Sequence, residues 1–71
     1  MYLLSQNKKN LIKFEKLELR KTFGTYSITA YGIGTSTFEQ VGEYTTEEQA
    51  NQEFNHIMMA LKQGLIVYEV Q

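Results

Sequence analysis

The chain has 71 residues, no cysteine, no proline, one histidine and a formal net charge of −1. That length makes one domain, 1–71, and its core is marginal, because so short a chain hides only about 60% of the surface its unfolded form exposes. Without cysteine there is no disulfide and no thiolate metal site, and a lone His56 leaves metal binding to carboxylates, so no metal or cofactor is expected and oligomerisation is the supplement that stays open.

The opening "MYLLSQNKKN" has no long apolar run and no basic lead-in, so it reads as neither a signal peptide nor a membrane span. The lack of cysteine fits a cytoplasmic setting. Within it, "YLLSQ" (2–6) reads as a short strand and "NKKN" (7–10) as a polar turn, since asparagine tolerates the left-handed conformation. A second strand follows over 11–20. Ile12 and Phe14 share one parity while Leu17 and Leu19 share the other, which calls for a bulge or bend near Glu15–Lys16. Gly24 marks the next turn. "TYSITAYGI" (25–33) is rich in β-branched and aromatic residues and reads as a strand. "GTS" (34–36) is a turn and "TFEQVGEY" (37–44) the next strand, with a bulge or close backbone approach at Gly42.

A helix is expected over 46–63. Thr45 or Thr46 caps it, with Glu48 or Gln49 completing a capping box, and Glu47 and Glu48 complement the helix dipole. Ala50, Phe54, Ile57, Met58 and Leu61 recur at helical spacing and form the expected buried stripe. Gly64 is the C′ stop. "LIVYEV" (65–70) is a last strand, apolar on both parities, which predicts a central position or cover on both faces. The order β-β-β-β-α-β predicts an α+β domain: a single small, mainly antiparallel sheet with one helix packed on one face.

Two stretches carry a resemblance. "LLSQNKKNLI" (3–12) resembles the opening of small uncharacterised proteins from Firmicutes and their phages, which begin with a strand, then Ser-Gln-Asp, one or two basic residues and a Leu-Val or Leu-Ile pair. "VGEYTTEEQA" (41–50) is similar to that family's Leu-Gly-x-Tyr-x-Thr-Glu-Glu-x-Ala segment, which precedes a helix and a closing strand with a tyrosine. Asn7 stands where the family usually has Asp, and the ending "YEVQ" lacks the family's Met-Pro. The resemblance implies a phage or mobile-element setting and no particular chemistry.

No catalytic constellation is legible, and the chain is not expected to be an enzyme. His56 has Gln52, Met59 and Gln63 as its expected helical neighbours, none of which orients an imidazole. "YGIGTS" (31–36) lacks the third glycine and the lysine of a phosphate loop. Charge is unevenly placed: residues 1–24 sum to +4 and residues 25–71 to −5. The halves either neutralise each other within the fold or leave a basic patch for an anion. In the second case Arg20 and Lys21 with Tyr26 or Tyr31 are the candidate contacts for a small anionic ligand such as a signalling nucleotide. A nucleic-acid polymer is disfavoured, because the chain is acidic overall.

The helix supplies the other candidate. Gln52, His56, Met59 and Gln63 form an uncharged stripe where small helices usually carry Lys and Glu. Interfaces are depleted in charge and enriched in Met. The stripe is therefore read as an interface with a second copy or with a host protein. The leading expectation is a non-enzymatic binding module of phage or mobile-element origin that occludes a host protein in counter-defence. The alternative is an oligomer that sequesters a small anion between subunits; a structural or assembly protein is the third.

Overall fold

The computed structural model describes residues 1–32 and 37–71. Strand β1 (Tyr2–Leu4) and strand β2 (Leu11–Thr22) pair antiparallel. The turn between them is built by Asn7, whose Oδ1 accepts from the Lys9 N–H at 2.9 Å and the Ser5 hydroxyl at 2.6 Å. Ser5 Oγ accepts in turn from the Asn10 N–H at 3.1 Å, and Lys8 takes a left-handed φ of 64°. The turn expected from "NKKN" is thus present, and it starts at Ser5.

Strand β3 (Thr25–Gly32) returns from β2 through a two-residue loop, since Thr22 pairs with Thr25. Both loop residues have positive φ, 49° at Phe23 and 79° at Gly24. That is the requirement of a type I′ turn, whose twist matches the flanking strands. Glycine meets it freely. A phenylalanine there brings its Cβ against the following carbonyl, at a cost of about 1–2 kcal/mol.

Register shifts between Phe14 and Lys16 of β2, at the position the parity conflict required. The bulge puts Ile12, Phe14, Leu17 and Leu19 on one face without breaking the strand in two. Strand β4 (Phe38–Tyr44) pairs with β3, with Ile28 opposite Gly42 and Thr29 opposite Gln40, which leaves Val41 as the extra residue. The bulge expected at Gly42 therefore lies at Val41–Gly42. The close approach there comes from a ring rather than a backbone: a Cβ on Gly42 would run into the Tyr44 hydroxyl.

Helix α1 (Glu47–Lys62) starts at Thr46, whose side chain accepts from the Gln49 N–H at 3.1 Å. It ends in a Schellman motif: Gly64 has φ 75°, Leu65 N–H donates to Ala60 O and Gly64 N–H to Leu61 O, both at 3.1 Å. Strand β5 (Val67–Glu69) then pairs parallel with β1.

The result is one five-stranded sheet in the order β4-β3-β2-β1-β5, antiparallel except for β1–β5, with α1 laid against β2, β3 and β4. The fold is α+β, as the element order predicts. Leu3, Ile28, Ala30, Val41, Tyr44, Ala50, Ile57 and Val70 form the core. The sheet curls until its distant parts meet: Gln6 N–H donates to Val41 O at 2.7 Å, and the Tyr44 hydroxyl donates to Gln71 O at 2.8 Å.

Three expectations are corrected. The helix buries Ala50, Glu53, Ile57 and Ala60, with Phe54 half-buried, while Met58 and Leu61 are exposed. Two alanines let the helix sit close to the sheet, and Glu53 finds donors that permit its burial. The first strand stops at Leu4 because the turn begins at Ser5, and the last spans only Val67–Glu69 because its partner β1 is itself three residues long. The last strand is also an edge strand, not a central one, and Ile66 and Val67 lie exposed. Ile33 and the turn expected at 34–36 lie outside the described residues.

Candidate functional site

Glu53 is only 4% exposed and forms part of one wall of a cleft. Its Oε2 accepts from the Tyr68 hydroxyl and from the Gln71 N–H, each at 2.9 Å. Its Oε1 lies 3.2 Å from His56 Nδ1, a hydrogen bond when that nitrogen carries the proton. A buried carboxylate is tolerated when donors replace water in this way. Helix α1 brings Glu53 and His56 one turn apart, and β5 brings Tyr68 beneath them. Burial and the bond to Glu53 push the Tyr68 phenol up to about 12. Burial and the nearby Glu53 charge raise the Tyr44 phenol as well.

The cleft measures about 420 Å³, and Gln6, Glu43, Tyr44, Gln52, Glu53 and His56 contribute to its lining. No lysine or arginine is among its described lining residues, so it is an acidic, amide-rich hollow with one tyrosine ring in its wall. Sequence reasoning left His56 without an orienting group; the structure supplies Glu53. Glu53 holds the ring through Nδ1, and no hydroxyl is hydrogen-bonded to the second ring nitrogen among the described residues. Nor do three His, Asp or Glu side chains gather into a metal site among the described residues.

Gln52, His56, Met59 and Gln63 are all exposed, as the stripe reading requires. The fold divides them. Gln52 and His56 face the cleft, whereas Met59 and Gln63 do not line it.

The four anion candidates are divided too. Pleating places Arg20 and Tyr31 on the sheet face away from the helix, and Lys21 and Tyr26 on the helix side. Arg20 Nε is 3.1 Å from Glu18 Oε1, and the Tyr31 hydroxyl donates to the same carboxylate at 3.0 Å, which raises the Tyr31 phenol. Lys21 Nζ sits 5.5 Å from the centre of the Tyr26 ring. On the outer face a different set comes together. Lys16 Nζ lies 4.8 Å above the Tyr31 ring, and the Tyr31 and Phe38 rings are 5.6 Å apart. Only the pairing of β3 with β2 on one side and β4 on the other could have revealed Lys16 and Phe38.

Among the described residues, the Lys8–Glu69 pair at 3.6 Å is the ion pair that joins the basic half of the chain to the acidic half. Lys16 and Arg20 pair with Glu18 inside the basic half. The halves therefore do little to neutralise each other by direct contact.

A last feature escaped sequence reading. Of the large apolar side chains exposed among the described residues, Met58, Met59, Leu61, Leu65, Ile66 and Val67 fall within ten consecutive positions. Met58, Leu61 and Leu65 are spaced three and four apart on one side of α1 and its cap, and Ile66 and Val67 continue onto β5. The sequence pattern places Met59 on an exposed stripe but assigns Met58 and Leu61 to the buried face of the helix and the apolar run over 65–70 to a covered strand, so the cluster is not legible as a surface. Compared with family models, with curated proteins and with solved structures, the chain matches none.

Proposed function

We propose that this chain is a non-enzymatic binding module, a cytoplasmic accessory protein of a phage or mobile element that occludes a host protein in counter-defence. The observation that carries the binding role is β5. The apolar residues at its start are left uncovered: Ile66, just before the strand, is 77% exposed and Val67, its first residue, 49% exposed at the open edge. Three residues leave this edge little backbone to offer for strand pairing, so what it presents is side-chain surface: exposed Ile66 and Val67, near Leu61 and Leu65 in the chain, have the composition of an interface centre. The resemblance of "LLSQNKKNLI" and "VGEYTTEEQA" to phage-borne proteins supports the setting.

The test is native mass measurement of the protein purified from its own host, beside Ile66→Lys. A host protein that accompanies the wild type and is lost with Ile66→Lys supports the proposal. Recovery of the same species with both overturns the assigned surface.

A second reading has an observation of its own. Lys16, Tyr31, Phe38 and Arg20 share the open sheet face, and stacked rings beside cations accept small anionic aromatics such as a nucleotide. In the same experiment a co-purifying small molecule, with no protein partner, selects this reading. Nucleotide titration at low salt that leaves the resonances of Tyr31 and Arg20 unmoved removes it.

A further inference from the structure

We infer that the tip of the β2–β3 hairpin docks into the cleft beside Glu53 on a second copy of this chain, with Phe23 as the anchor and Lys21 facing Glu43. The inference uses surfaces separate from the Leu65–Val67 edge and does not rest on the reading given to that edge.

Two independent observations meet at the tip. Phe23 is 102% exposed, so its ring touches nothing in its own chain, and its φ of 49° is one a phenylalanine takes at a cost. Asparagine or aspartate before glycine makes the same turn with less strain. A bulky aromatic in that position serves neither the hairpin nor the core, and strain of this kind concentrates where a residue is presented to something else.

What the tip fits is on the same molecule. Residues 19–25 carry Arg20 and Lys21 and no acid. The cleft carries Glu43 at its exposed rim and Glu53 at its wall, with no described cation in its lining. Its volume of about 420 Å³ exceeds that of a benzyl group, and Tyr44 offers a ring for the incoming one. Gln52 and His56 add exposed hydrogen-bonding groups to the lining, the polar rim expected around a contact centre. The +4 and −5 halves, left largely unpaired within one chain, are matched when a tip of one copy meets the cleft of another. A core of this size gains from such a contact.

Sedimentation across concentration, with circular dichroism and thermal melting, tests the contact. Wild type should self-associate. Phe23→Asn should be monomeric and melt higher than wild type, a substitution that stabilises the fold while it removes the anchor. Lys21→Glu and Glu43→Lys should each stay folded and associate roughly tenfold or more weakly, because each puts like charges together. Mixed in equal amounts, the two should regain wild-type association, since the acidic tip of one matches the basic cleft of the other while the remaining tip and cleft are native. A wild type that stays monomeric into the hundreds of micromolar overturns the inference. So does a Phe23→Asn protein that associates like wild type, or a mixture of folded single variants that stays as weak as its components.

Discussion

Glu53 shows at the scale of one residue what sequence alone could not. A glutamate on a helix is assigned to water by default, and nothing near it in the chain announces the Tyr68 hydroxyl or the Gln71 N–H, 15 and 18 positions away, that make its burial affordable. The capping residues Thr46 and Gly64 were legible for the opposite reason: their partners lie within one turn of the chain. Glu53→Gln keeps the shape and removes the charge that strengthens both bonds. It should destabilise the fold by about 1–3 kcal/mol, read from the denaturant midpoint. The tyrosine bonded to it sets a pH window. The Tyr68 phenol is raised from its ordinary value of 10.0 to about 12 in the fold, so the folded state holds a proton that the unfolded state releases between those values. The stabilisation is complete below pH 10 and is lost as pH rises toward about 12, and the raised phenol of Tyr44 acts in the same direction. Tyr68→Phe should be less stable at neutral pH and decline less steeply across that window, followed by tyrosinate absorbance and circular dichroism. Equal alkaline decline in the two proteins would show that Tyr68 does not set it.

At the scale of the element, type and limits were legible and rotation was not. The helix was read from period and caps, both local, and it stands within a residue of its expected span. Its phase was read by assuming that the largest apolar side chains face inward. The sheet beneath is curled, and close approach favours Ala50 and Ala60 at the contact, with Ile57 as the one large side chain fully enclosed. Met58 and Leu61 are left beside the sheet rather than on it. Ile57→Ala should therefore cost about 2–5 kcal/mol of unfolding free energy, while Met58→Ala should cost less than about 1 kcal/mol, as surface changes do. Denaturant titration of the two variants side by side decides the phase, and a larger loss for Met58→Ala would return the helix to the rotation its apolar residues alone imply. The β2 bulge was legible because its cause, a parity conflict between Phe14 and Leu17, is contained within the strand.

At the scale of the molecule, the fold class followed from the order of elements, since four strands, a helix and a strand leave few ways to cover one apolar face. The place of β5 did not follow, because its partner β1 lies at the other end of the chain and pairing over such separation leaves no local mark. That one placement turns an apolar strand from a core feature into a surface. The molecule then carries two contacts of different physics. The Leu65–Val67 edge is apolar, and the tip and cleft are charged around an aromatic. Salt separates them. Screening length falls from about 10 Å at 0.1 M to about 3 Å at 1 M ionic strength, so association through Lys21 and Glu43 should weaken across that range. Contact through Ile66 should hold or tighten, because burial of apolar surface has no charge to screen. Sedimentation of wild type and Ile66→Lys at both salt concentrations gives the measurement. Ile66→Lys should self-associate like wild type at low salt and dissociate like it at high salt. If Ile66→Lys is monomeric at both, the two copies meet at the β5 edge, and the tip is not where they join.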